Sequence, residues 1–118
     1  MTDPMEHREF YEVDLSEGWV RVESYPEGVA EKILAGRLDE ENKTGCRTRL
    51  VRFSPGADTR EPVTHDYWEE VFVLSGDLLV GETGEAFGPN THAFRPPGAS
   101  HGPFRSEGGC ILFEIHRY

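Results

Sequence analysis

The sequence predicts an all-β sandwich or barrel, and three observations carry that expectation. Short runs of β-type composition recur at intervals of roughly 8–15 residues. The 13 glycines and 8 prolines are scattered between those runs as punctuation. No segment holds a long apolar period of 3.6 residues, the mark of an amphipathic helix. With 118 residues the chain has the length of one domain. It is read as one unit over 1–118, with an arm or added strand over 1–22 and the barrel core over 46–116.

Taken in order, Trp19-Val20-Arg21-Val22 is the first strand-like run, and Lys32-Ile33-Leu34-Ala35 continuing to Leu38 is the second. A short helix over 27–35 is the competing reading there, weakened by Gly28 and Gly36. Cys46 to Phe53 alternates in part and stops at Ser54-Pro55-Gly56. Glu69 to Leu74 ends at the turn Ser75-Gly76-Asp77, and Leu78-Leu79-Val80 runs into a turn over 81–84. Thr91 to Arg95 meets Pro96-Pro97-Gly98, and Gly108-Gly109 opens the last run, Cys110 to His116.

Charge narrows the class of partner. The net charge of -10 offers no basic stripe to neutralise phosphates, so nucleic acid and anionic membrane surfaces are excluded as partners. No apolar stretch approaches the roughly 20 residues needed to span a bilayer. The N-terminal MTDPMEHREF is charged and shows no secretory signal. Cys46 and Cys110 are too few for a disulfide framework and are read as two buried, reduced thiols. A cytoplasmic location is expected.

The chemistry-bearing residues form two groups, Thr64-His65-Asp66-Tyr67-Trp68-Glu69-Glu70 and Pro96-Pro97-Gly98-Ala99-Ser100-His101. On one straight strand His65 and Glu69 would stand about 13 Å apart, beyond the reach of one metal ion. A tight turn through 66–68 resolves this, with His65 at one strand's end and Glu69 at the next strand's start. Alternation lets only one of Glu69 and Glu70 face inward; with Glu69 inside, Val71 and Val73 follow it. The rigid corner before His101 fixes where that side chain points. Two imidazoles and one carboxylate make a facial triad suited to Fe(II), with Zn, Mn, Ni or Co as alternatives. Plain loop histidines and a solvated acidic pair are the competing reading. Tyr67, Trp68, Phe94 and Phe104, with Phe72 and Phe113, are candidates to line a pocket or pack a core. Arg47, Arg49 and Arg95 are strand arginines, one of which, if inward, would suit a carboxylate or enolate ligand.

These residues resemble the motifs of the cupin superfamily. Pro55-Gly56, His65, Glu69 and Gly76 match its first motif, and Pro96-Pro97-Gly98 with His101 matches its second. The form is similar to small RmlC-like cupins of the ChrR type and to acetylacetone-cleaving cupins. The resemblance covers about residues 46–116 and implies a double-stranded β-helix, the cupin jelly-roll barrel. It implies metal ligation by His65, Glu69 and His101. Val63 stands where the family has its first histidine, and Arg105 where an asparagine sometimes follows the second motif. His92, Glu114 and His116 are the candidates to replace the missing imidazole, and His92 or Glu70 the candidate general base. The functions implied are a mononuclear Fe(II) dioxygenase acting on a small dicarbonyl or phenol, a Zn- or Mn-assisted isomerase or cyclase, or a non-catalytic metal- or ligand-binding module. A homodimer is expected, with the segment 8–22, including Phe10, Tyr11, Val13, Leu15 and Trp19, adding a strand across the interface.

Overall fold

Three strands carry the same inward gradient, and their antiparallel register turns it into a polar end and an apolar end of one barrel. Strand β3 (Thr44–Phe53) faces inward with Arg49, then Val51 and Phe53. Strand β5 (Trp68–Gly76) does so with Glu69, then Val71 and Val73. Strand β11 (Cys110–Arg117) runs the other way, with Cys110 and Leu112 before Glu114 and His116. Pairing with β3 sets Leu112 against Val51 and Glu114 against Arg49; pairing with β5 sets Leu112 against Val73 and His116 against Glu69, with Glu114 opposite Val71.

The computed structural model describes residues 3–118, which form eleven strands and, among the described residues, no helix. The remaining strands are β1 (Val20–Arg21), β2 (Val29–Asp39), β4 (Val63–Thr64), β6 (Leu78–Val80), β7 (Glu85–Phe87), β8 (His92–Arg95), β9 (Ser100–His101) and β10 (Phe104–Arg105). The large sheet has the order β1-β2-β3-β11-β5-β8; opposite it stand a three-stranded sheet β10-β6-β7 and the pair β4-β9. All pairings are antiparallel. Val29, Val51, Phe53, Val71, Val73, Leu78, Phe104 and Leu112 form the apolar core between the layers. Burying a side chain of this size is worth about 1.5–3 kcal/mol.

Residues 27–35 do not form a helix, because Val29–Asp39 pairs along its length with β3. The long antiparallel partner overrides a weak helical propensity. Among the described residues of the N-terminal segment, from Asp3 on, only Val20–Arg21 is a strand, paired to β2 of the same chain. Residues 4–19 cross the outer face, where Gly36 N–H donates to the Pro4 carbonyl and the Arg52 guanidinium lies 4.7 Å from the Trp19 ring centre. Cys110 is buried but Cys46 is exposed near the start of β3, so the expectation of two buried thiols holds for one.

Gly76 shows why the first motif needs its glycine. Its φ is 85°, and a Cβ there would collide with the Gly109 carbonyl oxygen where β5 meets β11. Just before it, the β5–β11 register shifts, and Leu74 is left exposed.

Candidate metal centre

The polar end of the barrel is built by register. Arg47, His116, Glu69 and Arg95 are direct cross-strand neighbours on β3, β11, β5 and β8 and form one row. Arg49 and Glu114 are paired in the next row. Directly opposed residues share a face of the sheet, so these side chains meet inside.

His116 is fully buried and bridges the row. Arg47 donates through Nε at 3.1 Å and approaches through Nη2 at 2.8 Å to Nδ1. A guanidinium can only donate, so Nδ1 accepts and the proton sits on Nε2. That Nε2–H donates to Glu69 Oε2 at 2.7 Å and lies 3.3 Å from Glu114 Oε1. Burial opposes a charge on His116, and its hydrogen bonds to Glu114 and Glu69 outweigh that and raise its pKa. A second proton at Nδ1 would nevertheless have to displace Arg47.

Glu69 is the hub. Its Oε1 accepts from Arg95 Nη1 at 2.6 Å and lies 3.5 Å from His101 Nε2. Burial works against its charge, while the His116 hydrogen bond and Arg95 hold its pKa below the ordinary value. Glu114 is likewise opposed by burial, but Arg49 and His116 bring it down to about 2. Arg49 closes the network at 2.6 Å from Glu31 and 2.9 Å from Glu114. No buried side-chain polar atom lacks a partner among the described residues.

His65 and His101 complete the first cluster. His65 follows β4 directly, and Asp66 and Tyr67 turn the chain into β5, so His65 and Glu69 converge. His101 pairs with Val63 across β4-β9. Donor atoms of His65, Glu69 and His101 all lie within 4.8 Å of one another. The His65 ring stacks on Tyr67 with centroids 4.5 Å apart and planes 11° from parallel. His101 Nδ1 lies 3.4 Å from the Ala99 carbonyl oxygen, which leaves Nε2 directed at Glu69. Burial lowers the pKa of both imidazoles, and Arg95 lowers that of His101 further. Both rings are therefore neutral at pH 7, the form that binds metal. An imidazole steered by a carbonyl on its far nitrogen is the usual arrangement of a metal-binding histidine. The donor set fits a divalent ion.

The candidate substitutes for the missing imidazole do not converge on this centre as free donors. Glu69, Glu114 and His116 form a second cluster within 4.8 Å. However, the His116 lone pair is taken by Arg47, and Glu114 is engaged by Arg49. The His92 ring is exposed and 3.1 Å from Glu70, because alternation turns both side chains away from Glu69. That placement removes His92 and Glu70 as bases for chemistry inside. Tyr67 and Phe104 are buried beside the imidazoles, with Phe104 5.6 Å from His101 between ring centres. Trp68 and Phe94 do not line the pocket. They stack on each other outside, 5.6 Å apart between ring centres, because each is offset by one residue from an inward side chain. Strand composition leaves the partners of the three arginines open; their seats on Glu69, Glu114 and His116 follow from cross-strand register alone.

A cavity of about 20 Å³ reaches the cluster, lined among others by Tyr25, Glu69, Arg95, His101 and Phe104. It has room for about one water-sized group.

The family model of the ChrR cupin-like domain matches residues 13–118. No curated protein matches the sequence. Among solved structures, an RmlC-like cupin from Shewanella frigidimarina NCIMB 400 superposes with a TM-score of 0.67 at 18% identity, covering 96% of this chain and 94% of that one. An acetylacetone dioxygenase from Acinetobacter johnsonii gives 0.64 at 20% identity, over 95% of this chain and 76% of that one. The anti-sigma ChrR of Rhodobacter sphaeroides, solved in complex with SigE, gives 0.64 at 20% identity over 86% of this chain and 50% of that one. At these identities the likeness establishes the jelly-roll barrel.

Proposed function

Because the chain belongs to the ChrR cupin-like domain family, we propose that it holds one divalent metal ion on His65, Glu69 and His101. We propose further that it takes a small dicarbonyl or phenol as the substrate of a dioxygenase-type reaction. The observation that carries the reading is the convergence of two neutral imidazoles and one ionised carboxylate within 4.8 Å. Such a facial set leaves coordination positions open and is characteristic of non-haem Fe(II) oxygenases. Bound there, Fe(II) would supply the dioxygen chemistry that side chains lack. The chain's own part is to orient and to dry the site. His116 fixes the Glu69 carboxylate, Ala99 steers His101, and Tyr67 and Phe104 shut out water around the rings.

A second reading, a non-catalytic binding module, draws on two other observations. The cavity holds about 20 Å³, and Arg95 already neutralises Glu69 Oε1. Metal analysis of untagged protein, followed by oxygen uptake of the Fe(II)-loaded protein with β-diketones and phenols, separates the two. Near-stoichiometric metal with oxygen uptake is expected. Metal without uptake leaves the binding module or a Zn- or Mn-assisted isomerase, and protein that takes up no metal removes the metal reading. A cytoplasmic homodimer is part of the proposal, and light scattering showing a monomer at high concentration would remove the dimer.

A further inference from the structure

We propose that a second, apolar chamber in the barrel binds the hydrocarbon part of a short monocarboxylate whose head group is held by Arg95. This inference concerns a different pocket and stands without the metal. The chamber measures about 200 Å³ and opens beside β8, between the large sheet and β6-β7. Its wall is formed chiefly by Val73, Leu78, Val80, Phe87 and Ala93, with Thr91 and His92 also contributing. His92 is turned toward Glu70 on the exterior.

Val71, Leu78 and Arg95 line both this chamber and the small cavity at Glu69. Arg95 is therefore the permanent cation at the partition between them. Its Nη1 binds Glu69, and its guanidinium carbon lies 5.3 Å from the Phe104 ring centre. A guanidinium has five N–H groups in a fixed fork, so it can serve a second carboxylate beside the first. Glu69 is the acidic group facing Arg95, and it sets an upper limit on how strongly a second anion is held. The chamber is smaller than the 300–1,000 Å³ typical of drug-sized ligands. It has room for a short chain of about six heavy atoms. A bare inorganic anion would leave the apolar wall unused, and an uncharged hydrocarbon would leave Arg95 unused.

Calorimetric titration of metal-free protein with acetate, butanoate, hexanoate and hexanol tests this. Affinity should rise about fourfold per added methylene, and hexanol should bind at least tenfold more weakly than hexanoate. Ala93→Phe, which fills the chamber from the β8 side, should abolish the chain-length gain. Arg95→Met should abolish the preference for hexanoate over hexanol; Arg95→Lys, which keeps the charge, should retain part of it if the Met variant does not fold. Hexanoate binding no better than acetate would overturn the proposal, as would a hexanoate preference that survives the loss of the Arg95 charge. With no metal in the cell, failure here leaves the metal reading standing, and the reverse holds.

Discussion

His116 and Glu69 face each other across β11 and β5, with the imidazole Nε2–H donating to the carboxylate at 2.7 Å in a fully buried position. His116 is a positioning residue for Glu69. Removing it leaves Glu69 Oε2 and the Arg47 guanidinium without the group that joins them, while Arg95 still holds Oε1. His116→Ala should lower unfolding stability by about 1.5–3 kcal/mol, the range for a hydrogen bond to a charged group. It should also weaken metal binding about 10–100-fold, as loss of a supporting contact does. Urea denaturation and calorimetric titration with Co²⁺ measure the two effects.

Val63 occupies a ligand-ready position. It is paired with His101 across β4-β9 and packs against the core, so its side chain shares the face of the candidate ligands. Val63→His should therefore add a fourth donor and tighten Co²⁺ binding at least tenfold. An affinity equal to that of the unmodified chain would mean that the metal does not sit on this face.

Glu114 should contribute to stability toward acid. Its pKa is depressed in the folded protein to about 2 from 4.5. A depressed carboxylate contributes stability that is complete above the unfolded value and disappears as pH falls through the folded one. The shift corresponds to roughly 3 kcal/mol. The Glu114 contribution should appear as a decline of the urea midpoint between about pH 4.5 and 2. Arg49→Met, which removes the main cation on Glu114, should destabilise the protein at neutral pH and flatten that decline.

Gly76→Ala should be severe for so small a change. The new methyl group meets the Gly109 carbonyl, and the backbone at φ 85° disfavours any L side chain. A loss above 2 kcal/mol is expected, of the order of other strained positions, with the thermal midpoint as the readout.

Trp68→Ala and Phe94→Ala probe the outward placement of the aromatic pair. Both side chains are well exposed and stacked outside the barrel. Metal and carboxylate titrations of these variants should match the parent. A tenfold loss in either would put the pair back in the pocket wall.

The barrel is legible in the sequence because its strands carry a period of two and a one-way gradient from polar to apolar. Glu69, Val71 and Val73 read as one face, and Glu114 with His116 as another, from alternation alone. A turn over 66–68 is legible because it brings His65 beside Glu69; in the structure it closes at Tyr67, and Trp68 already begins β5. What a sequence does not carry is which strand lies next to which. The seat of Arg95 on Glu69 depends on β5 pairing with β8, and that of Arg47 on His116 on β3 pairing with β11. Trp68 falls outside the pocket, against expectation, because adjacency to Glu69 along a strand means the opposite side of the sheet.

In the network of Arg47, Arg49 and Arg95 with Glu31, Glu69 and Glu114, guanidiniums match carboxylates one for one. The surplus of -10 therefore resides wholly on the rest of the protein, chiefly its skin. Arriving divalent cations are drawn in by that shell and small anions are held off, so dilute salt should hasten capture of the former and slow capture of the latter.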